Sequence, residues 1–239
     1  MEAIAGLFPE RLWRYFRKIS QIPRESGNEE RIREYLISVA KRCNLEYRVD
    51  ASGNLLVIKP GSSGLDTVIL QSHMDMVCEK NMETVHDFAA DPIRLVRDGE
   101  WIKADGTTLG ADNGIGMAAM LAIMEDTELV HPDLEMLFTI EEETGLTGAS
   151  MLTEEFISGR TLINLDSEED GTFYIGCAGG KNTDITLTIS LTDPPDGLVP
   201  VMINITGLKG GHSGTDIHKG LGNAIKLLNR FLKGVQKSI

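Results

Sequence analysis

Residues 68–75 read VILQSHMD. The apolar run Val68 to Leu70 marks a buried strand that ends at His73, with Asp75 two residues further on. The pattern recurs along the chain. Leu134 to Ile140 is an apolar strand followed by EEETG (141–145), and Thr161 to Leu165 is another, followed by Asp166 in NLDSEEDG (164–171). GADNG (110–114) opens a helical stretch over 112–126 in which Met117, Met120, Leu121 and Met124 share one face. The β–α–β order through 112–166 predicts an α/β fold, a mostly parallel sheet covered by helices on both faces. In such sheets ligands bind beyond the carboxyl ends of the strands. Parallel strands would therefore collect His73, Asp75, Asp112, Glu142, Glu143 and Asp166 at one edge.

The flanking sequence extends this unit. Pro9 opens a helix to about Gln21 with Leu12, Phe16 and Ile19 at helical spacing. Asn28 is placed to N-cap a second helix whose buried stripe is Ile32, Leu36, Val39 and Cys43. Strands over 45–50 and 54–59 are joined by Ala-Ser-Gly, and RLVRDGEWIKA (94–104) reads as a hairpin turning at Asp-Gly. Leu146 to Leu152 is a short helix. The character changes near Lys181. TDITLTISL (183–191) and VPVMINITG (199–207) alternate apolar with polar residues, as strands with one wet face do, and 221–236 forms an amphipathic helix. The boundary drawn here gives residues 1–182 to the α/β domain and 183–239 to the start of an α+β domain.

Composition excludes several classes. The 239 residues carry 23 basic and 36 acidic side chains, a net charge of -13, which argues against nucleic acid and against an anionic membrane as partner. Cys43, Cys78 and Cys177 are odd in number, far apart and without a CxxC, as expected of a reduced cytoplasmic compartment. The opening stretch MEAIAGLFPERLWRYFRK has no secretory pattern, and no apolar run reaches the roughly 18 residues that span a bilayer.

The chemistry at the predicted edge follows from its charge. Five carboxylates and an imidazole together are tolerable only if cations stand among them. The ligand set is nitrogen and oxygen with no thiolate, which suits zinc, manganese or cobalt in a hydrolytic site. A pair of ions about 3.5–4 Å apart needs a bridging carboxylate. Asp112, flanked by Gly110 and Gly114, is best placed for that. Asp75 can accept the second imidazole N–H of His73 and fix its tautomer. Consecutive strand-end residues point to different sides, so one of Glu142 and Glu143 can hold metal while the other faces substrate as a general base. In GGHSG (210–214) the glycines expose His212, which can polarise a carbonyl or stabilise an oxyanion. Each residue also has a plainer reading: a hydrogen-bonded structural His, a solvated acidic run at 141–143, a surface turn at Asp75, an incidental His212. Their joint occurrence is what favours a site. The G-x-G-x-x-A run GIGMAA (114–119) does not directly follow an apolar strand, and Asp112 would repel a pyrophosphate there.

The runs QSHMDMVCEKN, DGEWIKADGTTLGADNGIGMAAMLAIM, TIEEETGLTGA, INLDSEEDGTFYIGCAGG and GLKGGHSGTDIHKGLGNAIKLL closely resemble the aminoacyl-histidine dipeptidases, also called Xaa-His or cytosolic non-specific dipeptidases. These belong to the co-catalytic zinc peptidase superfamily. The resemblance implies a zinc-peptidase-like catalytic domain, a lid domain that mediates dimerisation, and hydrolysis of unblocked dipeptides such as Xaa-His and β-Ala-His. It implies two divalent ions, zinc first, with His73 and Asp166 on one, Glu143 on the other and Asp112 between them. Asp75 would orient His73, Glu142 would be the general base, and His212 would reach a substrate carbonyl in the neighbouring subunit. The Asp112–Asn113 bond matches one that is cis in the superfamily. The last zinc ligand of these proteins is a His that follows the lid, and no residue of 1–239 matches it. The sequence is thus expected to be a piece of a longer homodimeric protein. Two alternatives stand beside this reading: an aminoacylase of the same superfamily, and an inactive metal-binding fragment.

Overall fold

The computed structural model describes residues 3–61, 64–167, 169–177, 179, 183–211 and 216–237. The chain divides into two compact units, Met1–Ala178 and Gly179–Ile239.

The first unit begins with α1 (Glu10–Ile19), which follows Pro9 and buries Tyr15, Phe16 and Ile19. Helix α2 (Glu30–Arg42) buries Ile32, Leu36, Val39 and Ala40, one apolar stripe at helical spacing. Its N-cap position is Glu29 rather than Asn28. Asn28 instead closes the preceding turn, its N–H donating to Glu25 O at 2.8 Å. Strands β1 (Glu46–Val49), β2 (Leu55–Lys59) and β3 (Val68–His73) come next. A separate hairpin, β4 (Leu95–Asp98) and β5 (Trp101–Ala104), turns at Gly99, whose φ of +62° a two-residue hairpin loop favours. Helix α3 (Ala111–Glu125), strand β6 (Leu134–Thr139), the single turn α4 (Thr147–Ser150) and strand β7 (Thr161–Asn164) complete the unit.

Among the described residues the main sheet has the order β1-β2-β6-β3-β7. β3 runs parallel to both β6 and β7, while β1 with β2 and β2 with β6 are antiparallel. The α/β class holds, but the sheet is mixed where a mostly parallel one was expected. The cause is local. Asp50 Oδ1 accepts the N–H groups of Ser52, Gly53 and Asn54 at 2.8–2.9 Å, closing a tight connection that turns β2 back along β1.

Alternate residues of each strand face opposite sides of the sheet. One side packs Leu55, Val57, Leu70, Met136 and Phe138 against α1, α2 and α3, and this is the main core. The other side buries Leu56, Ile69 and Leu137 under Leu152, Phe156 and Ile157. That second cover comes from the non-helical chain after α4, so helices layer one face and not both. Glu135, buried on β6, ties this cover down: its carboxylate accepts Ser158 N at 2.9 Å, Gly159 N at 3.0 Å and the Ser158 hydroxyl at 2.7 Å.

In the second unit, α5 (Ala224–Gln236) fulfils the helix expected over 221–236, and the Asn223 side chain caps it by accepting Lys226 N at 2.9 Å. The strands expected at 183–191 and 199–207 do not form; residues 183–211 contain no strand. Ile185 and Leu187 are 87% and 80% exposed. An alternating pattern becomes a strand only with a partner and a face to bury against, and these segments lack both among the described residues. No described helix is long and apolar enough to cross a membrane.

Candidate metal centre

The parallel register brings three strand ends to one edge. His73 is the last residue of β3 and pairs with Thr139, while Gln71 pairs with Asn164. Met74 N donates to Thr139 O at 2.8 Å and Leu165 N to Gln71 O at 2.9 Å, so pairing continues to the rim. Glu142 and Glu143 follow β6, and Asp166 follows β7, its N–H held by Asn164 Oδ1 at 2.9 Å. Asp112 enters from the start of α3, where the helix is bent at Asp112 and Asn113 and their peptide bond is cis. Gly110 turns the chain into this bend at φ +69°. A Cβ at Gly116 would stand 2.0 Å from Asn113 Oδ1. Gly110 and Gly116 therefore serve the turn and close packing.

His73 is fully buried and contacts three carboxylates. Nδ1 donates to Asp75 Oδ1 at 3.2 Å; Nε2 faces Asp112 Oδ1 at 2.8 Å and Asp166 Oδ1 at 3.5 Å. Burial alone would lower the imidazole pKa, but the hydrogen bonds to Asp112, Asp166 and Asp75 outweigh it and push the pKa up to about 12. Asp75 is also fully buried, and burial works against its charge. Hydrogen bonds from His73, from the Ser26 hydroxyl at 2.7 Å and from the backbone N–H of Glu142 at 3.1 Å nonetheless hold its pKa down at about 2. Its second oxygen accepts Glu143 N at 3.2 Å.

The remaining carboxyls behave differently. The bond to His73 lowers the pKa of Asp112. Burial, followed by the neighbouring acids, raises Glu142 and Glu143, and burial raises Asp166 despite its bond to His73. Asn113 Nδ2 donates to Asp166 Oδ1 at 2.8 Å. Five carboxyls thus surround one imidazole, and several would hold their charge more easily with a further cation present.

The donor set fits a divalent ion. One atom each from His73, Asp112 and Glu143 lie within 4.8 Å of one another. All are nitrogen or oxygen donors, and the carboxylate on the far nitrogen of His73 is the usual support of a metal-binding imidazole. Asp166 stands beside this triad, on His73 Nε2. Glu142 lies on the adjoining cavity of about 210 Å³, which Asp166, Ile140, Leu146 and Leu162 also line. His212 lies outside the described residues.

Arg24 was missed in the sequence. It is buried, and its guanidinium donates to Met74 O at 3.0 Å and also to Asp75 O and Gly110 O. It thereby fastens the His73–Asp75 loop to the Asp112 loop, and desolvation lowers its pKa to about 10. Ser26, Glu29 and Asn54 were missed as well. For Arg24, Ser26 and Glu29 the available signal was the charged, Gly- and Ser-bearing stretch QIPRESGNEE (21–30) between two helices; Asn54 lies outside it.

The sequence profile of peptidase family M20/M25/M40 matches residues 69–220. The chain is 48% identical over 237 residues to the cytosol non-specific dipeptidase of Escherichia coli, covering 98% of this chain and 49% of that protein. The aminoacylhistidine dipeptidase structure from Vibrio alginolyticus superposes with a TM-score of 0.73 at 43% identity, over 99% of this chain and 49% of that one. The aminopeptidase PepT of Bacillus cereus gives a TM-score of 0.59 at 28% identity, over 67% of this chain and 44% of that one. The chain thus spans about half the length of the proteins it resembles.

Proposed function

The chain belongs to peptidase family M20/M25/M40, and from that premise we propose that it carries the metal-holding edge of a cytoplasmic metallo-dipeptidase. The substrates are unblocked dipeptides, Xaa-His and β-Ala-His among them. The observation that carries the reading is the convergence of His73, Asp112 and Glu143 donors within 4.8 Å at the end of parallel strands. Two similar proteins bear dipeptidase names, which supports the choice of substrate.

In this reading His73 and Asp166 would hold one divalent ion and Glu143 a second, with Asp112 placed to serve both; zinc would suit the donors best, with manganese or cobalt as substitutes. Bound there, such ions supply Lewis-acid polarisation of the scissile carbonyl and acidify water. The residues of the chain do the rest. Asp75 keeps His73 oriented and its Nε2 turned to the rim. Glu142 has no ligand role. Its carboxylate is made more basic by burial and by the acids around it, which favours taking a proton from the attacking water. The same carboxyl returns the proton to the departing amine. The cavity beside Glu142 and Asp166, with Ile140, Leu146 and Leu162 in its wall, offers apolar room for a substrate side chain. His212 donates to the oxyanion from the lid of the other subunit in a homodimer, and residues 183–239 form the start of that lid.

The test is a substrate comparison on the purified protein. Xaa-His dipeptides are cleaved and N-acyl amino acids are not, and EDTA abolishes cleavage until zinc is restored. Preference for N-acyl substrates, or turnover that survives the chelator, contradicts the proposal.

A further inference from the structure

The loop that carries Glu142 and Glu143 is held from outside itself. Its carbonyls point forward: Glu141 O accepts Thr147 N at 3.3 Å, and Glu142 O accepts Gly145 N and Leu146 N at 3.2 Å. Its amides point back into the unit, and four in succession end on side chains. Ile140 N donates to Asn54 Oδ1 at 3.2 Å, Glu141 N to Glu29 Oε1 at 3.0 Å, Glu142 N to Asp75 Oδ1 at 3.1 Å and Glu143 N to Asp75 Oδ2 at 3.2 Å. All three acceptor residues are buried; Asn54 and Asp75 are fully so and Glu29 is 5% exposed.

Glu29 is the unexpected member. It occupies the N-cap position of α2, where a side chain ordinarily accepts an amide of its own helix. Its side chain makes no such bond. The same oxygen that takes Glu141 N also takes Gly27 N at 3.0 Å. Its carboxylate is thus committed to a residue 112 positions away. Glu141 needs the support, because its φ of +47° is left-handed, a region that disfavours a residue with a side chain. Gly27 lies against this contact, and a Cβ there would meet Glu141 Oε1 at 3.8 Å.

We propose that Glu29 is a positioning residue of the metal site: by fixing the Glu141 amide, its carboxylate sets where the next two side chains, Glu142 and Glu143, are presented. This rests on reading the strand edge as metal-holding. Glu29 touches no donor atom of the site and acts through the loop alone.

The test measures Zn²⁺ affinity by competition with a chromogenic chelator, and the visible spectrum of the Co²⁺ form, for the wild type and variants at this position. Glu29→Ala should weaken Zn²⁺ binding roughly 10-fold or more, the scale typical of outer partners of metal ligands, and should alter the Co²⁺ spectrum. Glu29→Gln keeps an oxygen acceptor and should stay within about threefold of wild type, as should Glu30→Ala on the exposed side of α2. If the alanine variant does not fold, Glu29→Asp replaces it; the acceptor is then withdrawn by about one methylene, and the same loss is expected. Wild-type affinity and spectrum in the Ala or Asp variant, or an equal loss in Gln, would overturn the proposal. A wild type that binds neither ion defeats the metal reading itself, and the inference with it.

Discussion

Asp75 and the rim acids Glu142, Glu143 and Asp166 stand at one strand edge and are held in opposite ways. Asp75 lies at the floor, fully buried, and receives His73, Ser26 and two backbone amides. Its charge is satisfied by protein donors. The rim acids are partly open, and burial with mutual repulsion raises their pKa values. A carboxylate that is already bonded serves as scaffold, while one short of positive charge is available to a cation or a proton. The same residue type therefore divides into support and chemistry by the number of N–H and O–H groups aimed at it.

The sharpest way to separate floor from rim is Glu142→Gln. In the intact enzyme it should lower turnover by about 10²–10⁴-fold, the usual contribution of a general base, while metal content stays at the wild-type level. Elemental analysis beside steady-state kinetics checks this, and loss of metal with retained turnover would reverse the assignment.

Asp75→Asn probes the floor. The variant should bind Zn²⁺ about 10–100-fold more weakly, because His73 loses its charged partner. It should also lose about 2 kcal/mol of stability at pH 7, since a pKa near 2 against an ordinary 3.8 stabilises the fold by that order. A depressed pKa contributes above the unfolded value and is lost as pH falls through the folded one. The gap between wild type and variant should therefore close between about pH 4 and pH 2. Urea titrations across that range measure it, and a gap that persists at pH 2 contradicts the account.

The mildest perturbation, a change of pH alone, concerns the proton at the centre. His73 in the ion-free protein keeps its proton up to about pH 12. A cation on Nε2 has to displace it. Acid favours the ion-free form, so Zn²⁺ affinity should rise about tenfold per pH unit between pH 6 and 8. Calorimetry in two buffers of different ionisation enthalpy should report one proton released from His73; none released means that His73 is not a ligand.

Much of the site is legible in the sequence because metal-type residues follow long apolar runs. β3 and β6 announce themselves by buried apolar runs, and β7 by an apolar run that is exposed in the structure. His73 ends β3, and Glu142, Glu143 and Asp166 follow β6 and β7 within a few residues. Helix α3 is legible through Met117, Met120 and Met124. Strand direction is not legible: β2 reads as a strand from its own residues, but its antiparallel place beside β6 depends on the distant Leu55–Phe138 pairing. Arg24, Glu29 and Asn54 are hidden for a similar reason. Each is an ordinary polar residue whose partner is 50 to 112 positions away. Residues 183–207 show the converse failure, since alternation in Ile185, Leu187 and Ile189 proposes a strand that finds no neighbour to pair with among the described residues.

The central claim is that a divalent cation belongs among His73, Asp112 and Glu143. Anomalous scattering recorded at the zinc edge from crystals grown with Zn²⁺ tests it without an assay. The account predicts a peak within bonding distance of His73 Nε2 and of carboxylate oxygens from Asp112 and Glu143; a map with no peak there, or with zinc bound only on unrelated surfaces, would contradict it.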